Sequence, residues 1–288
     1  MSDEHLSASL AAGAEDGEGR WAFGTGFEDP LHGVDTTVPD GVDAGALAAL
    51  CLALGDDALV GAQRLAQWTT DAPELEIELA LANIGLDLLG QARLLYARTG
   101  QVDGTGRGED DFAYWRDADA FRNVRLAELP RGDFAFSMAR LLALSAWRLA
   151  LFQRLAAAPD PVLAAIAAKG VKELAYHRQF AADWIVRLGD GTEESARRMQ
   201  AGYDEVGPWL GELELAADTS AEAPGGDAAG AAAELRQVWE ETARAAGLTV
   251  GAYPAHSGAG RSGDRTEHLA PLLEELQSVA RTHPGAAW

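Results

Sequence analysis

The sequence is short of cysteine, of positive charge and of long apolar runs, and each shortage excludes a class of protein. Its 288 residues include one cysteine, Cys51. No disulfide framework can form within the chain, which fits a reducing cytosol. Cys51 lies in an apolar run, where a free cysteine is usually buried and inert. Lysine and arginine total 23 against 45 aspartates and glutamates, a formal charge of −22 at pH 7. The isoelectric point is near 4.5. Such a chain repels phosphate backbones and anionic membrane surfaces, so neither nucleic acid nor membrane is an expected partner. No uninterrupted apolar run reaches the ~18–20 residues that a membrane span needs. The N-terminus has neither a basic n-region nor an apolar h-region, so no secretory signal is expected there. A cytoplasmic protein is the expectation.

Strand patterning is missing too. No useful stretch alternates apolar and polar residues, whereas three- and four-residue apolar steps recur along most of the chain. Apolar residues make up 48% of the sequence, enough for a sizeable core.

Residues 1–43 form a separate zone, rich in Gly, Asp and Glu, with Arg20 its only Lys or Arg. This composition predicts a disordered acidic tail. Trp21, Phe23 and Phe27 interrupt it, and Asp29-Pro-Leu-His32 reads as a turn rather than a metal site. Residues 44–288 form the expected helical domain. A first helix is predicted over Ala44–Trp68. A second follows Asp71-Ala-Pro-Glu74, which looks like a capping box, and runs to about Arg98 with Gly100 as its stop. After a mixed connection, Asp133 opens a third helix to about Ala157. Asp160-Pro161 opens a fourth to Leu188, ended by Gly189 and Gly191. Thr192 caps a further helix to about Leu213. Residues 216–233, with Pro224-Gly-Gly226, read as a linker-like insertion. Short helices near 231–246 and 264–281 complete the pattern. Four long helices with brief connections predict a four-helix bundle with additional helices. The second and third are apolar around most of their circumference, which predicts burial on several sides, by the bundle or by a partner chain.

Polar residues inside these helices are the candidate site. Glu76, Asn83, Asp87 and Gln91 share one face of the second helix. Asp56 and Asp57 interrupt the first. Glu173 and His177 share a face of the fourth. Inward carboxylates with a histidine suggest a carboxylate-bridged di-metal centre, which takes one Glu from each of two helices and Glu-x-x-His from each of the other two. The sequence departs from that set. Glu-x-x-His occurs nowhere, and Leu174 stands three residues before His177. The stretch from Phe134 to Pro159 has no Asp, Glu or His, only Arg140, Arg148 and Arg154 among its charged residues. The expectation is a polar remnant of a metal site at Asp57, Asn83, Asp87, Arg140, Glu173 and His177. In it, Arg140 or a lysine such as Lys169 occupies the centre and pairs with Asp87 or Glu173. The alternative is that these groups face a wet surface or a subunit interface. Gly258-Ala-Gly-Arg-Ser-Gly263 lacks the order of a phosphate-binding P-loop; it reads as a loop in which Arg261 or Arg265 could meet an anionic group.

Several blocks carry a resemblance. They are Pro73-Glu-Leu-Glu-Ile-Glu-Leu-Ala-Leu-Ala-Asn-Ile-Gly-Leu-Asp-Leu-Leu-Gly-Gln-Ala-Arg93, Leu54-Gly-Asp-Asp57, Arg116-Asp117 with Phe121 and Asn123, Lys172-Glu-x-x-Tyr-His177, and Thr266-Glu-His-Leu269. Over about residues 45–288 the chain resembles the C component family of ring 1,2-phenylacetyl-CoA epoxidase. The resemblance implies a ferritin-like fold and a structural role in aerobic phenylacetate catabolism. It implies no cofactor in this chain. Di-iron would lie in a paralogous catalytic subunit, accompanied by a small bridging subunit, with a reductase subunit bringing FAD, an iron–sulfur centre and NADPH electrons. It also implies that Ala120, Phe121, Arg122 and Asn123 could lie beside bound CoA. Two other functions stay open: a free-standing ferritin-like di-iron oxygenase with an atypical ligand set, and a helical binding module unrelated to oxygenases.

Overall fold

A computed structural model describes residues 31, 33–221 and 228–286. Trp21, Phe23, Phe27 and most of the Asp29–His32 turn lie outside the described residues, as does nearly all of the zone before Gly33. The body is all-helical, with no strand among the described residues.

Helix α1, Ala44–Ala66, starts where the Asp43 carboxylate accepts from the Ala46 amide at 2.9 Å. Such a cap satisfies one of the donors a helix start leaves free. Helix α2, Leu75–Val102, packs along α1 as a hairpin. Its start departs from the expected capping box. Glu74 is the N-cap without a side-chain bond, and Asp71 instead pairs with Arg131. Its end departs as well, because α2 runs through Gly100 to Val102. That glycine is required for a different reason. A Cβ there would lie 1.9 Å from the carbonyl oxygen of Arg107, so the connection crosses the helix at backbone distance.

A short helix α3, Glu109–Tyr114, and two 3-10 turns, Ala118–Ala120 and Arg125–Glu128, form the connection to α4, Phe134–Leu155. Asp133 caps α4 through the Phe136 amide, and Asp160 caps α5, Pro161–Gly189, through the Leu163 amide. Helix α4 packs along α5, and α2 meets α5, so two hairpins make a four-helix core. Helix α6, Glu193–Val206, is capped by Thr192 as its sequence predicts. It breaks at Gly207-Pro208, because proline cannot donate the helical bond. Helix α7, Leu210–Ala221, and α8, Ala228–Ala245, follow. The expected linker 216–233 is therefore helical on both sides, as its alanine content favours, and its middle, 222–227, lies outside the described residues. Helix α9, Leu269–Thr282, packs near the connection.

The core is centred on α1 and α4. Leu54, Ala58, Met138, Leu142 and Trp147 are fully buried. Truncating one such leucine to alanine costs ~2–5 kcal/mol. Both helices are long and apolar enough to cross a membrane by composition, and most of each is buried inside the protein. Helix α2 is covered by this chain over only part of its circumference. Leu75, Leu79 and Leu86 are 66%, 56% and 64% exposed, so their side of the helix is an apolar face turned to solvent.

Candidate functional site

The expected polar residues do not converge on one point. Asn83 is exposed on α2. Asp87 lies one turn further on and meets His177 of α5, with Nε2 3.0 Å from its Oδ2. Glu173 is bonded by Lys169 on its own helix and by Gln91 Nε2 at 3.0 Å. Lys169 makes that pair from the edge of the bundle, with its side chain 35% exposed, and does not occupy the centre. Arg140 does not pair with these acids either: its Nη1 donates to the carbonyls of Leu129 and Pro130, at 2.5 and 3.0 Å, and reaches neither Asp87 nor Glu173. The physical reason is the connection before α4. It ends its 3-10 turn there with carbonyls no helix can satisfy, and a buried guanidinium supplies the donors.

Arg148, two turns along α4, takes the central place. Its Nη2 donates to Gln91 Oε1 at 2.9 Å and its Nη1 to the Leu54 carbonyl at 3.2 Å. The same Nη1 lies 3.5 Å from Asp57 Oδ2. Asp57 is clasped from the other side by Arg261, whose Nη1 and Nη2 donate to its two oxygens at 3.0 and 2.5 Å. Asp57 also accepts from the Val124 amide at 2.8 Å. A polar chain therefore runs Lys169, Glu173, Gln91, Arg148, Asp57, Arg261 across the bundle. Burial pushes the Arg148 guanidinium down to about 10 while Asp57 pulls it up, and burial, then the nearby Arg64, pushes Arg140 down to about 9. Both stay cationic at pH 7.

A second buried pair stands beside the first. Asp56 accepts from Tyr96 Oη at 2.7 Å and from the Arg122 amide at 2.8 Å, and is ion-paired with Arg116. Thus Asp56 and Asp57, adjacent on α1, each anchor part of the segment 121–124 by accepting a backbone amide. That segment contains the residues expected near substrate. Phe121 and Asn123 are buried in it, and Asn123 Nδ2 donates to Glu128 Oε1 at 2.9 Å. Ala120 and Arg122 are partly exposed. Burial raises the Glu128 carboxyl above the usual glutamate range, against the pull of the Thr266 amide and Asn123.

Arginine is the shared element, and sequence spacing missed most of it. Arg98 pairs with buried Asp160 and donates to the Thr36 carbonyl at 2.7 Å. Arg125 donates to Glu212 at 3.1 Å. Arg265 and Arg281 cap carbonyls of residues 114–121. The Gly-rich loop does meet an anionic group, as Arg261 could, but the group is this chain's own Asp57. Gly260 lets the loop in, since a Cβ there would lie 1.9 Å from the Asn123 carbonyl oxygen.

Residues 35–288 match the profile of a family described as phenylacetic acid catabolic protein. The chain belongs to that family. It is also 43% identical over 246 residues to the C component of 1,2-phenylacetyl-CoA epoxidase from Escherichia coli strain K12, covering 84% of this chain and 99% of the relative. Membership connects the chain with phenylacetate catabolism and its helical fold with that of its family.

Within that family the polar core can be tested against a di-iron centre, and the residues do not fit one. Among the described residues, no three His, Cys, Asp or Glu side chains come together as metal donors. Asp57 is already shared by two guanidiniums, and Glu173 is held by Lys169 and Gln91. Helix α4 contributes Arg140 and Arg148 where a metal would need carboxylates. A cation placed among them would meet like charge. The walls that remain surround a cavity of about 30 Å³, whose polar lining is Asp57, Arg64, Ser137, Arg140, Ser145, Arg148 and His177.

Proposed function

We propose that this chain is a structural, non-catalytic subunit of a multicomponent phenylacetyl-CoA epoxidase in the cytoplasm. The complex forms the 1,2-epoxide of the aromatic ring with O2 and NADPH, in aerobic phenylacetate catabolism. The observation that carries this reading is the occupied donor set: the core carboxylates are neutralised by Arg148, Arg261 and Lys169 rather than left free to bind metal. The chain's part is to hold a related di-iron catalytic subunit in its working form, alongside a small bridging subunit, with an FAD and iron–sulfur reductase as electron source. The relative's description as one component of an epoxidase supports this. So does the apolar face of α2, where Leu75, Leu79 and Leu86 present the sort of patch that an obligate partner covers.

Co-expression with the candidate catalytic subunit, size-exclusion chromatography and an assay with phenylacetyl-CoA test the reading. The expected result is one co-eluting complex, active only with both chains present, and less than a tenth of an iron per copy of this chain alone. Near two irons per chain, or oxygenase activity without the partner, would instead favour the free-standing di-iron enzyme.

A further inference from the structure

Helix α2 carries two apolar seams of one period. The inward seam is Ile77, Leu81, Ile84 and Leu88, continued by Leu95, all of them buried. Its alternating steps of four and three residues average ~3.5, the spacing that lets one helix lie along another at a shallow angle. This side of α2 packs along α1 and meets α5. The outward seam is Leu75, Leu79, Ala82, Leu86 and Leu89, with the same steps. Its first four members each stand two residues before an inward one, so ~200° of helical turn separates the seams. Its four leucines are exposed, and among the described residues they are four of nine large apolar side chains left so. The other five stand singly on other elements, which is ordinary for a surface, whereas a stripe of leucines is not.

Spacing fixes the shape of what covers the outward seam, and charge selects its chemistry. A 3.5-residue period is matched by a second long helix, and residues beside such a seam decide which helix is accepted. Between Pro73 and Gln91 the helix has four acids, Glu74, Glu76, Glu78 and Asp87, and no Lys or Arg. Glu76 and Glu78 flank the seam on opposite sides. Arg93, next in the seam's register, is held by Glu109 of its own chain at 2.7 Å. A second copy laid parallel would set Glu76 and Glu78 against their own counterparts. Laid antiparallel, it would set Gly90 and Ala92 opposite them and bring no free cation. Each copy also carries a formal charge of −22, so self-association is opposed at longer range as well.

We propose that the outward seam of α2 docks one long helix of a different protein, apolar at the same period and flanked by Lys or Arg that meet Glu76 and Glu78. This deepens the epoxidase reading and rests on it in one respect, that the helix belongs to the catalytic subunit. From Leu75 to Leu89 the seam is ~21 Å long at 1.5 Å per residue. One helix-wide strip of that length covers a few hundred Å², against the ~800 Å² per partner of a stable interface. The seam is therefore the apolar core of a larger contact, with the acids in its polar rim.

The test uses the full chain co-expressed with the candidate catalytic subunit, with the photo-crosslinking residue benzoylphenylalanine in place of Glu76 or Asn83, beside the seam. Leu215 of α7 and Val279 of α9, exposed apolar residues elsewhere, are the control positions. The expected result is crosslinking from 76 and 83, to a single helical segment of the partner that contains Lys or Arg, and none from 215 or 279. E76Q with E78Q should weaken the complex about threefold at low salt, and the difference should close at high salt. A complex that crosslinks only from the control positions, or that binds the Gln variant as tightly at low salt, would overturn the seam while leaving the subunit reading intact. Crosslinks to a second copy, with association strengthened by the Gln changes, would overturn the choice of occupant. If no complex forms with the unsubstituted chain, the subunit reading fails and the docked helix with it. Should the Gln variant not fold, the crosslinks decide alone.

Discussion

Asp57→Asn is the substitution that bears hardest on the buried network. The change keeps the side chain's size and an acceptor for the Val124 amide, which sits 2.8 Å from Oδ1. It removes the charge shared by Arg148 and Arg261, and puts an amide donor in place of Oδ2, which faces both guanidiniums. Arg148 is 3% exposed and the Arg261 side chain 11%, so water cannot take over. Breaking a buried ion pair from one side costs about 3–5 kcal/mol, because the partner is left charged and unpaired. At 2–4 °C per kcal/mol for a chain of this size, the thermal midpoint should fall by roughly 6–20 °C.

The control is R148M, alone and with D57N. Alone it leaves Gln91 Oε1 and the Leu54 carbonyl short of a donor, at ~1–3 kcal/mol. In the double variant one of the two stranded cations is gone, so the combined loss should be smaller than the sum by ~1–3 kcal/mol. Melting followed by circular dichroism, with urea titrations for the free energies, measures all four chains. The pairing argument fails if D57N melts within 2 °C of the parent chain, or if the two losses add within ~0.5 kcal/mol.

Other sites give independent tests. Burial pushes the Cys51 thiol up to about 12, so at pH 8 it is protonated and enclosed. An aromatic disulfide reagent should modify it only on unfolding, and rapid labelling of the native chain would contradict this placement. The Glu128 carboxyl is raised by burial, so the folded chain holds that proton more tightly than the unfolded chain. Its contribution to stability is full below the unfolded value and falls as pH rises from about 4.5 through the folded value. E128Q should therefore gain on the parent between pH 4.5 and 7 in melting experiments, and a steady or reversed difference would argue against it. Replacing Leu79 and Leu86 together by glutamate should leave the melting midpoint of the isolated chain within about 2 °C, since both side chains are more than half exposed. It should weaken co-elution with the catalytic subunit tenfold or more, and unchanged co-elution would move the interface elsewhere.

The helix starts were legible because they are local. Asp43, Asp133, Asp160 and Thr192 each bond an amide three residues on, and such spacing is visible in a string of letters. The misplaced end of α2 was not local. Gly100 sits mid-helix because a carbonyl seven residues later crosses it, and only the folded connection brings that carbonyl there. The exposed face of α2 was legible only in part. Apolar residues all round a helix say that it is covered, but not whether this chain or another covers it.

The candidate site shows where legibility stops. Helix α4 has arginines and no acid, so any carboxylate neutralising them had to come from another element. Asp56 and Asp57, interrupting an apolar helix, were visible candidates. Choosing Arg140 over Arg148 was a choice between two buried residues eight positions apart on one helix, which periodicity scarcely separates. Their difference lies in what faces them: unsatisfied carbonyls at 129 and 130 for the first, Asp57 and Gln91 for the second. Arg261 enters from 204 residues away, through a gap only Gly260 permits. Charge balance could therefore be demanded from the sequence, while the pairing that meets it had to be read from the fold.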